Sequence, residues 1–124
     1  MILTVFTSNQ PRHLALIRTL WGDGHLVHAV IEPKSWMPWG KSHVLRGYWR
    51  RVQDAEMAVF GPPGPVVADL IVPMGELSSL GTAALLPLAS DRYIVFGSSY
   101  IRGPLADFLI EKGALNLHGG LAPY

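Results

Sequence analysis

The sequence has no cysteine, little charge and no long apolar run. The absence of cysteine excludes disulfides, thiolate metal sites and a cysteine nucleophile. Charged residues make up only 15% of the 124, and the formal net charge is +1, so nothing favours nucleic acid or anionic lipid as a partner. No stretch reaches the roughly 18 apolar residues that a membrane span needs, and the start lacks the pattern of a signal peptide. We therefore expect a cytoplasmic protein with no membrane partner.

The apolar residues, 49% of the chain, fall into short segments that alternate between strand-like and helix-like patterns. The length favours one domain, spanning 1–124. The β-α-β alternation predicts an α/β fold with a Rossmann-like, mostly parallel sheet and helices on both faces. Predicted strands are 2–6, 26–31, 57–60, 66–72, 93–96 and 114–117. The first predicted helix begins near Pro11, with Ser8 or Asn9 as its cap. Further helices are predicted over 44–52, 77–88 and 104–112.

The loop after the first predicted strand contains no glycine: residues 7–13 read Thr-Ser-Asn-Gln-Pro-Arg-His. A dinucleotide pyrophosphate needs glycines there so that the backbone can approach it closely. The sequence therefore argues against an NAD or ATP site of the usual kind. Arg12 and His13 stand at the start of a predicted helix, where they can contact an anionic substrate group. Two solvated residues at a helix start are an equally good interpretation.

The most informative residues for chemistry are near the C-terminal end. Asn116 and His118 are two apart in a predicted strand, so both side chains project to one face. Parallel sheets bind ligands at the carboxyl ends of their strands. An amide donor beside an imidazole suits the stabilisation of an oxyanion and the transfer of a proton. Gly119 and Gly120 follow directly and allow a ligand to approach the backbone.

The run Asn-Leu-His-Gly-Gly-Leu-Ala-Pro-Tyr over 116–124 resembles the Asn-x-His-x-Ser/Gly-Leu-x-Pro signature of 10-formyltetrahydrofolate-dependent formyltransferases. That family includes methionyl-tRNA, glycinamide ribonucleotide and sugar N-formyltransferases. Residues 91–101 also resemble the family's preceding strand and loop. The resemblance covers most of the chain in element order, but it is specific only over 91–124.

The resemblance implies that a formyl group passes from N10-formyltetrahydrofolate, the donor, to an amine. It assigns Asn116 to the formyl oxygen, and His118 to the same tetrahedral centre and to proton transfer. Substrate contacts are expected from Arg12, His13, Gly119 and Gly120. The folate pocket is expected to be lined by the residues that follow the preceding strand, which are Phe96, Gly97, Ser98, Ser99, Tyr100 and Ile101.

The sequence departs from the family at one position, because the family's third catalytic group is an aspartate some tens of residues beyond the histidine. The printed sequence ends at Tyr124, so we expect it to be the N-terminal part of a formyltransferase catalytic domain. The alternative is a non-catalytic remnant, or a folate- or partner-binding module. An uncovered sheet edge would then favour a homodimer.

The acceptor amine is expected on a small molecule: a sugar, an amino acid derivative or a nucleotide-linked compound. The lack of a basic surface disfavours tRNA. Trp36, Trp39 and Trp49 either flank an acceptor pocket or belong to the core. No metal is expected, since no carboxylate lies at ligand spacing from the histidines. The alternative metal site would join His118 to one of the other four, which are His13, His25, His28 and His43.

Overall fold

A computed structural model describes residues 1–34, 43–62 and 64–118 of the chain. Its sheet has five strands in the order β3-β2-β1-β4-β5, and all four pairs of neighbouring strands are parallel. The α/β class and the parallel sheet predicted from the sequence are therefore confirmed. This order is also that of the first five strands of the doubly wound dinucleotide-binding fold. The strands are β1 (Ile2–Thr7), β2 (Leu26–Ile31), β3 (Leu70–Ile71), β4 (Arg92–Phe96) and β5 (Leu115–Leu117).

Helices cover both faces of the sheet. The α-helices are α1 (Pro11–Gly22), α2 (His43–Phe60) and α3 (Pro104–Glu111), and two 3-10 helices span Leu77–Ser79 and Thr82–Leu88. Because side chains alternate along a strand, neighbouring residues Val5 and Phe6 enter different cores. Val5 belongs to a core formed with α1, whereas Phe6 belongs to one formed with α3 and the 3-10 helices. Helix α2 packs on α1.

The start of α1 differs from the predicted cap. Gln10 occupies the N-cap position and makes no side-chain capping bond, although Pro11 takes the first turn as expected. The Ser8 hydroxyl instead bonds the His13 ring, and the Asn9 side-chain oxygen accepts the Lys34 backbone N–H. Both predicted caps are therefore wrong, because the Ser8 side chain bonds a ring within α1 and the Asn9 side chain bonds the segment after β2.

Two predicted elements are wrong for identifiable reasons. Residues 57–60 form the last turn of α2 and not a strand, because the helix continues to Phe60 and buries Glu56 against α1. The single helix predicted over 77–88 is two 3-10 helices. Gly81 separates them in an extended conformation, and Pro87 cannot donate a backbone hydrogen bond. Local apolar spacing revealed neither the continuation of α2 nor the division of 77–88 into two helices.

Several sequence interpretations concern residues outside the described ranges, among them Trp36 and Trp39. Trp49 lies on α2 and is 39% exposed, in edge contact with Tyr48. Within the described parts of the chain, no helix is both long enough and apolar enough to cross a membrane.

Candidate functional site

A cavity of about 970 Å³ opens at the carboxyl ends of β4 and β5, beside the start of α1. Adjacent strands β1 and β4 send their helices to opposite faces, which creates the crevice where open α/β sheets bind ligands. The cavity is lined by Arg12, His13, Val95, Phe96, Gly97, Ser98, Ser99, Tyr100, Ile101, Ala106, Leu109, Ile110, Ala114, Asn116, Leu117 and His118.

The structure brings together almost every site residue predicted from the sequence. Asn116 and His118 line the same cavity as Arg12 and His13, together with the whole predicted folate loop, 96–101. Asn116 pairs with Val95 in the sheet, so its side chain points to the α3 face. Asn116 and His118 are both exposed. The predicted substrate residues Gly119 and Gly120 lie outside the described residues.

The cavity has an apolar side and a polar side. Helix α3 contributes Ala106, Leu109 and Ile110 to the apolar side, and Ile101 and Ala114 add to it. The start of α1 and the end of β5 supply the polar groups. Such a mixture suits a ligand with a flat ring and a few hydrogen-bonding groups. The lining residues that the structure describes include no carboxylate.

His13 is 1% exposed, so the solvated interpretation of this residue is wrong. Its Nδ1 lies 2.5 Å from the Ser8 hydroxyl oxygen, and its Nε2 accepts the Arg12 Nε–H at 3.2 Å. Since Nε2 is an acceptor, the ring proton is assigned to Nδ1, which donates to Ser8. Burial, with the nearby Arg12 and Lys34 charges, lowers the pKa of His13 to about 3. His13 is therefore a neutral group whose nitrogens both have partners within the protein.

Arg12 is tied to α2. Its guanidinium forms an ion pair with the Glu56 carboxylate, which is 7% exposed. Burial lowers the pKa of Arg12, while the group remains a cation at any ordinary pH. The charge that the sequence suggested for a substrate anion is thus compensated by Glu56.

Gly97 lies directly against the His13 ring. Its φ is +73°, a left-handed conformation that favours glycine, and a Cβ at this position would overlap the imidazole. The ring also makes an edge contact with Phe96, with centroids 4.6 Å apart. His13 therefore forms the surface on which the start of the cavity loop rests.

Sequence reasoning missed two residues behind the cavity loop. Glu32 is fully buried, and its carboxylate accepts three hydrogen bonds, two of them from Ser99. The Lys34 ammonium donates to the Gly97 carbonyl at 2.7 Å. The signal that could have revealed them is the pair of charged residues directly after the apolar strand β2.

The neutral state of His13 predicts a pH dependence of stability. Its pKa is about 3 when folded and 6.5 when unfolded, so the unfolded chain binds the extra proton between these values. Stability from this group is complete above pH 6.5 and falls as the pH is lowered toward 3. Urea unfolding at several pH values should show that His13→Gln takes up about one proton fewer on unfolding near pH 5. Equal proton uptake in both proteins would contradict this assignment.

Comparisons with protein families, curated proteins and solved structures find no match to this chain. Searched within the described ranges, the side chains form no group of three or more His, Asp or Glu that could hold a metal ion. The functional interpretation therefore rests on the residues and geometry of the cavity.

Proposed function

We propose that the cavity binds 10-formyltetrahydrofolate and that the chain contributes Asn116 and His118 to formyl transfer onto an amine. The observation that carries this proposal is their position in one cavity with the loop 96–101. These residues come from β4, its following loop and β5, which pair side by side in the sheet. Asn116 and His118 of the motif that resembles the formyltransferases therefore lie next to the segment that precedes it in the sequence.

Formyl transfer requires a hydrogen-bond donor at the developing oxyanion and a path for one proton. The acceptor nitrogen attacks the formyl carbon, and the carbonyl electrons move onto its oxygen. The Asn116 amide N–H is suited to stabilise that oxygen. The oxyanion then collapses, the bond to folate N10 breaks, and N10 takes a proton while the acceptor amine loses one. His118 is suited to help transfer that proton.

The two sides of the cavity match the two parts of a formyl folate. A pterin ring fits the apolar side between the loop and α3, since it is flat and carries hydrogen-bonding groups at its edge. The Gly97 carbonyl and the Ser99 N–H are already bonded to Lys34 and Glu32, so we assign that edge to other main-chain groups of 97–101. The formyl group then lies toward Asn116 and His118. Because Arg12 is paired with Glu56, we assign the acceptor's contact there to hydrogen bonding and not to a free cation.

The alternative is a folate- or partner-binding module without catalysis. It is favoured by the absence of a carboxylate among the described residues that line the cavity. Formyl transfer and a folate-binding module both require folate binding, and only formyl transfer requires turnover.

Calorimetric titration with 5-formyltetrahydrofolate, a stable isomer of the donor, tests the shared step. We expect saturable binding of one ligand per chain. NAD and ATP are the control ligands and should not bind, because the loop after β1 lacks glycines. Absence of folate binding, or tighter binding of NAD, would refute the proposal. Binding without turnover of 10-formyltetrahydrofolate against a panel of amines would favour the binding module.

A further inference from the structure

The buried carboxylate of Glu32 lies behind the cavity loop and not among the residues that line the cavity. Its Oε1 accepts the Ser99 backbone N–H at 2.8 Å. Its Oε2 accepts the Ser99 hydroxyl at 2.6 Å and the Gly75 backbone N–H at 3.0 Å. A carboxylate buried without partners is very costly, and these three donors stabilise it. Glu32 thus joins the end of β2, the turn at Gly75 and the cavity loop.

Lys34 holds the same loop two residues earlier, through the Gly97 carbonyl. Its own backbone N–H donates to Asn9 at the start of α1. Burial lowers the pKa of Lys34, and the nearby Glu32 carboxylate opposes that shift. The segment after β2 therefore holds the loop at two points, Gly97 and Ser99, through residues that do not line the cavity.

The Ser99 hydroxyl has one proton, and the short bond to Glu32 uses it. What remains on that oxygen is lone-pair density, so toward any ligand it can only accept a hydrogen bond. Ser99 also lines the cavity. A ligand group that forms a hydrogen bond with this oxygen must therefore carry an N–H or O–H.

We propose that Glu32 is a positioning residue of this site, which fixes the Ser99 backbone and commits the Ser99 hydroxyl to accept a hydrogen bond from a ligand N–H or O–H. That this ligand is a formyl folate rests on the proposed function. An amino group at the edge of a pterin ring supplies a donor of the required kind.

The test uses Glu32→Gln, Ser99→Ala and the double variant, with Glu76→Gln as the matched control. Glu76 also accepts a bond from a nearby serine, Ser79, but it is exposed and away from the cavity. Glutamine keeps the size of Glu32, but its amide NH2 would face a donor. We expect Glu32→Gln to weaken 5-formyltetrahydrofolate binding at least about tenfold, and Glu76→Gln by less than about twofold. In the Ser99→Ala background, Glu32→Gln should weaken binding by clearly less, because part of its effect passes through that hydroxyl.

Residue-resolved amide hydrogen exchange provides a readout that does not need a ligand. In Glu32→Gln, exchange at the Ser99 amide should rise at least about tenfold while the amides of β1 stay protected. Unchanged exchange at the Ser99 amide, or equal 5-formyltetrahydrofolate affinity of folded wild-type and Glu32→Gln proteins, would overturn the positioning role. If the wild-type chain binds no folate, the proposed function fails, and the exchange result alone decides the role of Glu32.

Discussion

Replacing Asn116 by alanine is expected to lower the rate of formyl transfer by about 10²- to 10³-fold, the usual effect of removing one oxyanion donor. His118→Ala should lower it by about 10²- to 10⁴-fold, the range for a lost acid–base group. Both side chains are exposed, so the free energy of unfolding should change by less than about 0.5 kcal/mol. The measurement is tetrahydrofolate released from 10-formyltetrahydrofolate with an amine acceptor found by screening.

The control for these variants is Leu115→Ala. Leu115 is on the same strand and is 56% exposed, but it does not line the cavity. Its substitution should leave transfer within about twofold of the wild-type rate, as expected for a surface change away from the site. Folate affinity should also be similar in all three variants, because the loss falls on the transition state. Full turnover in either Asn116→Ala or His118→Ala would remove the proposed mechanism.

Gly97→Ala is expected to lower the free energy of unfolding by about 3 kcal/mol and to abolish folate binding. A left-handed backbone costs a residue with a Cβ about 1–2 kcal/mol. The overlap with the His13 ring adds about 1–3 kcal/mol, because the ring is fixed by Ser8 and Arg12. To relieve the overlap, the loop must move away from the position that Glu32 and Lys34 define. Urea unfolding and calorimetric titration measure the two effects.

Gly24→Ala separates these two costs. Gly24 has φ +85°, close to that of Gly97, but nothing lies within 4 Å of a Cβ built there. We expect a loss of about 1–2 kcal/mol in this variant, without any change in folate binding. In a His13→Ala background, Gly97→Ala should cost about as much as Gly24→Ala, since the ring has been removed. An equal cost of Gly97→Ala in both backgrounds would show that the ring does not explain the glycine.

Short apolar segments with clear turn signals were sufficient to predict the centre of the sheet. The predicted bounds of β2 are confirmed, and the helix after Pro11 forms with proline in its first turn. Residues 57–60 failed because Met-Ala-Val-Phe suits a strand or a helix equally well when read alone. Helix α2, which contains them, packs on α1 through contacts between residues far apart in sequence, such as Glu56 with Arg12 and the Phe60 carbonyl with Arg18.

In the candidate site, too, local patterns predicted some residues, whereas others depend on contacts between residues far apart in sequence. Asn116, His118 and the loop after β4 were predicted because a motif and the carboxyl ends of strands point to them. Glu32 was missed because its partners, Ser99 and Gly75, become neighbours only when β2 and β4 pair on either side of β1. His13 was predicted as a residue of the site, but its burial and both of its hydrogen bonds follow from packing that no local pattern specifies.

We propose that a formyl folate binds in this cavity at the ends of β4 and β5. Titration of the isotopically labelled chain with 5-formyltetrahydrofolate, followed by amide NMR, locates the ligand directly. We predict saturable shifts at the amides of 97–101 and 115–118, with none at His25 and Leu26, which lie at the amino end of β2, away from the carboxyl ends of the strands. Shifts confined to another surface, or none at saturating ligand, would contradict the assignment of this cavity.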